Sequence, residues 1–191
     1  QNDLKEISEK IIDPTIKELI RKKIDYRGVL YFGLMITESG AKVIEYNCRF
    51  GDPECQTIMP LMDKNFVNLL YECSIGNLHK NEQILVNNMV SGCVIAASKG
   101  YPQDYKVGYK IQLENSKDKN LQVFHSGTII NESKDLVTNG GRVLSIVCQS
   151  NDFETAFDKA YEYLDKVKFK GISYRKDIGH QVRESYKGVS N

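Results

Sequence analysis

Residues 28–36, GVLYFGLMI, form a short and strongly apolar run. A run of this length that contains aromatic residues is typical of a buried strand. Glu38-Ser39-Gly40 then supplies turn residues, and KVIEYN at residues 42–47 has an alternating pattern. These residues therefore predict a β-hairpin with a second strand whose two faces differ in polarity.

The elements predicted around this hairpin follow no regular alternation. Helices are expected at residues 3–23, where Pro14 ends or kinks the first part, and at residues 56–77 and 153–167. Short strands are expected at residues 90–97, 110–113, 122–125, 127–130 and 141–148. Because the strand–helix–strand repeat of a doubly wound sheet is missing, the order indicates the α+β class. The polar stretch at residues 76–83 suggests domains at residues 1–85 and 86–191.

Charge and apolar patterning argue against several kinds of partner. Lys and Arg total 26 against 25 Asp and Glu, so no overall positive field favours nucleic acid or an anionic membrane. No apolar run approaches the roughly 20 residues that span a bilayer, and the polar start QNDLKEISEK is unlike a signal peptide. The five cysteines are odd in number and form no CxxC pair, which favours reduced thiols in the cytoplasm.

Glu45 and Asn47 lie two residues apart on the second predicted strand, so their side chains are expected on one face. A carboxylate beside an amide offers the oxygen ligands that Mg²⁺ prefers, with phosphate oxygens and water completing its coordination. An ordinary solvent-facing strand would show the same spacing. The spacing alone leaves both interpretations open.

Arg49 continues the same two-residue series and would place a guanidinium beside the two oxygen ligands. A metal ion and an arginine aimed at one place are what a transferring phosphoryl group requires. Asp52 and Glu54 follow in GDPE and are candidates to bind a substrate ammonium group or a second metal. Alternatively, Asp52 is the N-cap of a helix with Pro53 at its first position, and the two roles are compatible.

Other segments also allow both a functional and an ordinary structural interpretation. Gly140-Gly141-Arg142 is either a hairpin turn with a surface arginine or a place where Arg142 faces a substrate. Tyr174-Arg175-Lys176-Asp177 is either a solvated turn or a phosphate site, because a planar guanidinium binds phosphate well. We interpret Lys99, in a loop after a predicted strand, as surface charge and His125 as a structural histidine.

GVLYFGLM followed by EYNCRFGDPECQ resembles the signature of the phosphoribosylamine–glycine ligases, or glycinamide ribonucleotide synthetases. The resemblance continues in ASKGYPQDY, VFHSGT, GGRVL and YRKDIG, at residues 97–105, 123–128, 140–144 and 174–179. These motifs cover most of residues 26–180 in the order of that family. Each motif is weak alone, whereas the ordered set is specific. It is most similar to eukaryotic forms, which are often fused to later enzymes of the pathway.

The resemblance implies an ATP-dependent ligase of purine biosynthesis that joins glycine to 5-phosphoribosylamine through glycyl phosphate. By similarity, Glu45 and Asn47 would bind the Mg²⁺ or Mn²⁺ that bridges the ATP phosphates. Arg49 would stabilise the transferring phosphoryl group and the acyl phosphate. Val43 or Ile44 would pack on adenine.

The substrate contacts follow from the same resemblance and from a looser analogy with another ATP-grasp enzyme. Asp52 would bind the amine of phosphoribosylamine, and Arg175 with Lys176 would bind its sugar phosphate. Arg142 would lie at the rim of the active site. Gly33 stands where related ATP-grasp enzymes carry a further acidic ligand, so metal binding would rest on the second strand.

The family also implies a preceding nucleotide-like α/β domain, the lysine-bearing half of the ATP-grasp domain and a glycine-rich phosphate loop. No GxGxxG or GxxxxGK[ST] motif occurs in the 191 residues. Residues 1–85 would be the C-terminal half of an ATP-grasp domain, and residues 86–191 a small antiparallel-sheet or barrel-like domain with a helix. We therefore expect a fragment that is inactive without its N-terminal half. A different ATP-grasp carboxylate–amine ligase and a non-catalytic scaffold stay open as alternatives.

Overall fold

The computed structural model of this chain describes residues 2–79 and 84–187, which fall into two units. The first unit comprises Gln1–Asp52 and Lys64–Leu85, and the second comprises Pro53–Asp63 and Val86–Asn191. Helices and one hairpin make up the first unit, whereas all other strands belong to the second. The division into domains at residues 85 and 86 stays a prediction.

The first unit begins with a nearly continuous helix of three segments. They are α1 at Asn2–Ile7, a π-helical turn at Ser8–Ile12 and α2 at Asp13–Arg21. The π-helical turn lies just before Pro14, which has no backbone N–H for an α-helical hydrogen bond. The Asp13 N–H donates to the Ser8 carbonyl oxygen and closes the wider turn. The predicted helix and its irregularity near Pro14 are confirmed.

A two-stranded antiparallel hairpin follows, as predicted, with β1 at Tyr31–Thr37 and β2 at Gly40–Asn47. The prediction that the first strand is buried is wrong for its second half, because Met35 and Ile36 are 54% and 66% exposed. No third strand pairs with the hairpin within the two described ranges. Those apolar side chains therefore lack the sheet partner that burial would require.

The helix predicted at residues 56–77 is wrong as a single element. The structure has α3 at Glu54–Ile58, a 3-10 turn at Met59–Leu61 and, after a break, α4 at Phe66–Ile75. Pro60 explains the break, since it cannot donate the backbone hydrogen bond that would continue α3. α4 ends at Gly76, whose φ of 75° is the left-handed conformation that commonly closes a helix.

Six further strands, all in the second unit, form two antiparallel sheets. They are β3 at Val90–Ser98, β4 at Leu121–His125, β5 at Thr128–Ile130, β6 at Leu136–Thr138, β7 at Arg142–Ser150 and β8 at Ile172–Ser173. One sheet has the order β4-β7-β3-β8, and β5 pairs with β6 in the other. The predicted antiparallel architecture is confirmed, but these sheets do not close into a barrel in the part of the chain that the structure describes.

Residues 110–113, predicted as a strand, make isolated bridges instead. The Ile111 N–H donates to the Leu136 carbonyl oxygen at 2.8 Å. Gln112 exchanges backbone hydrogen bonds of 2.8 and 3.1 Å with Lys168. Because neighbouring residues bond to two different segments, no ladder forms. β6 and β8 were not predicted, since three and two residues are too few to show an alternating pattern.

The core of the second unit lies between the larger sheet and α5, which spans Phe153–Leu164 and packs on β3 and β7. Asp152 is the N-cap of α5, and its carboxylate accepts hydrogen bonds from the Thr155 backbone N–H at 2.7 Å and hydroxyl at 2.9 Å. These hydrogen bonds lower the pKa of Asp152. The largest fully buried side chains include Val94, Leu144, Ile146 and Leu164.

The last helix, α6 at His180–Lys187, was not predicted. Arg183 fixes α6 to α5 by donating hydrogen bonds to Glu154 at 2.8 Å and to Asp158 at 2.6 Å. Across residues 2–79 and 84–187, no helix combines the length and apolar character needed to cross a membrane.

We expect Ile146→Ala to destabilise the chain by about 2–5 kcal/mol, because the fully buried Ile146 side chain would leave a cavity in the core. Ile130→Ala is the matched control, since Ile130 is 59% exposed and its truncation should cost less than about 0.5 kcal/mol. Chemical denaturation followed by circular dichroism measures both changes. Equal unfolding midpoints for the two variants would contradict the placement of β7 in the core.

Candidate functional site

The Glu45 and Asn47 side chains lie side by side near the end of β2. The Asn47 amide nitrogen donates a hydrogen bond of 3.0 Å to Glu45 Oε1. This contact puts the two side chains on one face of the strand, as the alternation of strand residues requires. Glu45 is exposed and Asn47 is half-buried, so the pair is open to a ligand.

Gly33 on β1 lies opposite Glu45 on β2 and makes room for the glutamate side chain. A Cβ atom at position 33 would lie 2.8 Å from Glu45 Cγ, which is closer than carbon atoms of neighbouring side chains pack. The glutamate side chain therefore lies over bare glycine backbone. The sequence interpretation noted that Gly33 is not an acidic ligand, but it missed this steric role.

A β-bulge at Ile44 changes which side chains of β2 share a face. Gly33 pairs with Glu45, but the next residue of β1 pairs with Val43, so Ile44 is the extra residue. Strict alternation would put Val43 on the face of Glu45. The structure instead has Val43 lining the same groove as Tyr46. The bulge thereby separates Val43 from the carboxylate face.

That groove has a volume of about 540 Å³ and lies between the hairpin and the first helix. Ile11 and Val43 contribute apolar walls, and the hydroxyl groups of Tyr46 and Thr15 lie 3.3 Å apart beside them. Ile44 is 62% exposed and is not among the residues that line the groove. The two residues predicted to contact adenine thus have different surroundings.

Arg49 lies beyond the strand, because β2 ends at Asn47 and Arg49 is in the bend that follows. Its Nη1 donates a hydrogen bond of 2.7 Å to the Phe50 carbonyl oxygen. Among the residues that the structure describes, no carboxylate pairs with this exposed guanidinium. The sequence predicted that Glu45, Asn47 and Arg49 share one face of a strand. The strand ends at Asn47, so Arg49 does not belong to that face.

Asp52 lies in an exposed turn that precedes α3. The alternative in which Asp52 is the N-cap of this helix is wrong, since Pro53 occupies the N-cap position and α3 begins at Glu54. Pro53 has no side-chain acceptor, so no side chain caps the helix there. A role for Asp52 in binding an amine stays a prediction.

Arg142 and the segment around Arg175 lie at the same end of the four-stranded sheet. Arg142 is opposite Ala97 on one side of β3, and Ser173 is opposite Ala97 on the other side. Two strand spacings of about 4.8 Å separate these backbones by about 10 Å. The structure thus brings together two segments predicted to contact substrate, with the exposed Lys176 next to Arg175 in the chain.

Asp177 holds the Arg175 guanidinium through two hydrogen bonds, from Nε at 2.9 Å and from Nη2 at 2.7 Å. This bidentate pair lowers the pKa of the Asp177 carboxyl group and raises the pKa of Arg175. Behind it, the Tyr161 hydroxyl on α5 donates to the Arg175 carbonyl oxygen at 2.8 Å and accepts from the Ile178 N–H at 3.1 Å. Tyr161 and Asp177 were not predicted as supporting residues, although the close Arg–Asp spacing in YRKD was a visible signal.

The donor set at Glu45 and Asn47 fits a hard divalent cation, because it offers one carboxylate and one amide oxygen. Within the described ranges, no group of three or more His, Cys, Asp or Glu side chains is placed to hold a metal ion. A cation at the hairpin would therefore take most of its ligands from phosphate and water. Mg²⁺ is commonly held in this way.

Two family models match separate ranges of the chain. Residues 1–55 match the phosphoribosylglycinamide synthetase ATP-grasp (A) domain, and residues 91–181 match the phosphoribosylglycinamide synthetase C domain. The first range contains the hairpin with Glu45 and Asn47, and the second contains Arg142 and Arg175.

Several curated proteins are similar over nearly the whole chain. Phosphoribosylamine–glycine ligase of Caldanaerobacter subterraneus subsp. tengcongensis is 46% identical over 176 residues, which are 92% of this chain and 41% of that protein. The trifunctional purine biosynthetic protein adenosine-3 of Gallus gallus is 40% identical over 180 residues, which are 94% of this chain and 18% of that protein. The chain therefore spans less than half the length of these relatives.

Two solved structures also align with most of this chain. Phosphoribosylamine–glycine ligase from Thermotoga maritima aligns with a TM-score of 0.81 and 36% identity over 94% of this chain and 44% of that chain. The biotin carboxylase domain of 2-oxoglutarate carboxylase from Hydrogenobacter thermophilus aligns over 83% of this chain and 38% of that chain, with a TM-score of 0.51 and 16% identity, which shows a shared fold alone. Because two models of one family match this chain and these relatives are similar to it over most of its length, the chain belongs to the phosphoribosylglycinamide synthetase family.

Proposed function

We propose that this chain is the C-terminal part of a phosphoribosylamine–glycine ligase. The reaction would join the carboxyl group of glycine to the amine of 5-phosphoribosylamine, with ATP converted to ADP and phosphate through glycyl phosphate. The Glu45–Asn47 pair over Gly33, within the range that matches the ATP-grasp (A) domain, is the observation that carries the proposal. The complete enzyme would also need N-terminal segments like those of the longer relatives.

In this proposal, Glu45 and Asn47 hold Mg²⁺ or Mn²⁺ together with ATP. The hydrogen bond between them uses Asn47 Nδ2 and Glu45 Oε1, which leaves Asn47 Oδ1 and Glu45 Oε2 as oxygen ligands. It also orients the two groups before a ligand arrives, which reduces the cost of ordering them. The bound cation would neutralise negative charge on the phosphate oxygens.

Arg49 would stabilise the negative charge that develops when the phosphoryl group passes to the glycine carboxylate. A guanidinium has five N–H donors, and Arg49 gives one of them to the Phe50 carbonyl oxygen. Its position in the bend after β2 keeps it two residues from Asn47 in the chain. The other donors would bind phosphate oxygens without first breaking an ion pair in the described part of the chain.

Asp52 would accept a hydrogen bond from the amine of phosphoribosylamine. Arg175 and Lys176 would bind its sugar phosphate, and Arg142 would face the substrate at the rim of the active site. Arg175 gives its Nε–H and one Nη2–H to Asp177, so three of its five N–H donors remain for an anion. Asp177 would fix the plane of the guanidinium and still leave N–H donors for the phosphate.

The apolar contact for adenine would come from Val43 or Ile44, whose side chains are 38% and 62% exposed. Residues 1–85 would act as part of the ATP-grasp domain and residues 86–191 as the C-terminal domain. We also propose a cytoplasmic location, because none of the five cysteines, all of which lie in the described ranges, forms a disulfide and a reducing compartment would keep them as thiols.

A chimaeric enzyme tests this proposed activity. This chain replaces the aligned part of the Thermotoga maritima ligase, and ADP release is measured with glycine and 5-phosphoribosylamine. We expect ADP release that needs both substrates, whereas the isolated chain should release none. Release driven by a different carboxylic acid would favour another ATP-grasp ligase, and a folded but inactive chimaera would favour a scaffold.

We expect Glu45→Gln in this chimaera to raise the metal concentration at half-maximal rate by about tenfold or more, because it removes a charged ligand. Glu38→Gln is the matched control, since Glu38 lies exposed in the turn of the same hairpin. Initial rates over a Mg²⁺ titration separate the two variants. An identical metal dependence in both would contradict the assignment of Glu45 as a ligand.

We expect Gly33→Ala to raise the same metal requirement, because its Cβ atom would displace the Glu45 side chain while every ligand remains present. In a Glu45→Ala background, Gly33→Ala should add little, since the displaced side chain is gone. The metal titration is repeated for the single and double variants. Fully additive effects would show that Gly33 acts by some other route than Glu45.

A further inference from the structure

A cavity of about 660 Å³ in the second unit is lined by three lysines and two tyrosines. The lysines are Lys99, Lys106 and Lys170, and the tyrosines are Tyr105 and Tyr109. The volume falls within the roughly 300–1,000 Å³ that is usual for small-molecule pockets. None of these five residues has a role in the ligase reaction proposed above.

Backbone contacts fix the two lysine-bearing sides of this cavity against each other. The Lys99 N–H donates to the Gly171 carbonyl oxygen at 2.7 Å, which holds Lys99 next to the segment that carries Lys170. Gly100 has a φ of 102° and packs so closely on the Asp104 carbonyl oxygen that no Cβ atom would fit. The sharp turn at Gly100 brings the following loop, with Lys106, back to the cavity.

Tyr109 forms a fixed aromatic wall of the cavity. Its backbone N–H donates to the Thr138 hydroxyl at 3.1 Å, and its carbonyl oxygen accepts from the Thr138 N–H at 2.9 Å. Thr138 is almost completely buried, so these two hydrogen bonds are shielded from water. The Lys170 ammonium lies over the Tyr109 ring, 5.5 Å from its centroid.

Positive charge predominates among the residues that line the cavity. Lys110, Lys159 and Lys166 each have a carboxylate oxygen at 2.6, 2.8 and 3.0 Å, respectively. The three lysines that line the cavity form no such ion pair with any residue in the described ranges. Asp104 is the one carboxylate among the lining residues, so three positive charges and one negative charge leave a formal charge of +2.

We propose that this cavity binds a phosphate ester that carries a planar ring, of the nucleoside monophosphate class. Three lysines that line one space suit the doubly charged phosphate group. The Tyr105 and Tyr109 side chains both line the cavity and offer aromatic surface against which a base can pack. Asp104 would accept a hydrogen bond from a sugar hydroxyl group. The site lies outside the residues assigned to metal and ATP.

Isothermal titration calorimetry of the 191-residue chain, in EDTA to remove metal ions, tests this site with AMP, adenosine and ribose 5-phosphate. We expect AMP to bind more tightly than either part alone. The double variant Lys99→Ala/Lys170→Ala should weaken AMP binding by about tenfold or more, because it removes charged hydrogen-bond donors. Asp104→Asn should strengthen AMP binding, since it removes the opposing negative charge while the amide oxygen can still accept the hydrogen bond from the sugar.

Two controls separate this site from general charge and from the proposed metal site. Lys117→Ala/Lys119→Ala removes two exposed lysines that do not line the cavity and should leave AMP binding unchanged. EDTA is the second control, because it removes the cation through which Glu45 and Asn47 would hold a phosphate, so failure of the ligase proposal would not affect this result. Unaltered AMP binding in the folded Lys99→Ala/Lys170→Ala variant, or equal weakening by both lysine pairs, would overturn the proposal.

Discussion

The Glu45 carboxylate lies over the bare backbone of Gly33 and accepts a hydrogen bond from the Asn47 amide. This arrangement depends on a missing side chain, because a Cβ atom on β1 would occupy the space of the carboxylate stem. The bulge at Ile44 adds a second constraint, since it moves Val43 to the wall of the groove beside the helix and leaves the Glu45–Asn47 face polar. A carboxylate and an amide held in this way are suited to a metal–phosphate complex.

The second unit has a different kind of rigidity, which comes from its buried sheet. β7 is buried along almost its whole length, and α5 packs across it. β3 lies between β7 and β8, and Arg142 and the segment after Ser173 lie at the same end of the sheet on either side of it. Tyr161 on α5 then holds the backbone on both sides of Lys176. The proposed phosphate ligands are thus mounted on a packed core rather than on an unsupported loop.

Strong local signals in the sequence predicted much of this structure. The hairpin, the strands at residues 90–97 and 141–148, and the helix that begins at Phe153 were all visible as periodic apolar patterns. The common face of Glu45 and Asn47 followed from strand alternation alone. The break at Pro60 was missed, although a proline inside an apolar helical pattern commonly ends a helix.

The features that were not predicted depend on contacts between distant residues. Nothing in the order of residues around Ile44 distinguishes a bulge from a regular strand, since the bulge is defined by pairing with β1. The exposed Met35 and Ile36 carry a strand signal, but their burial depends on a partner sheet. Lys99 is exposed, as its interpretation as surface charge predicts, and only the fold shows that it lines a cavity together with Lys170 and Tyr109.

A crystal structure of the chimaeric ligase with ADP and Mn²⁺ tests the central claim about the hairpin most directly, because anomalous scattering locates the metal ion. The account predicts a manganese peak within about 2.2 Å of a Glu45 carboxylate oxygen and of Asn47 Oδ1, in contact with the ADP phosphates. A nucleotide-bound manganese ion held by other residues, with Glu45 and Asn47 facing solvent, would contradict it.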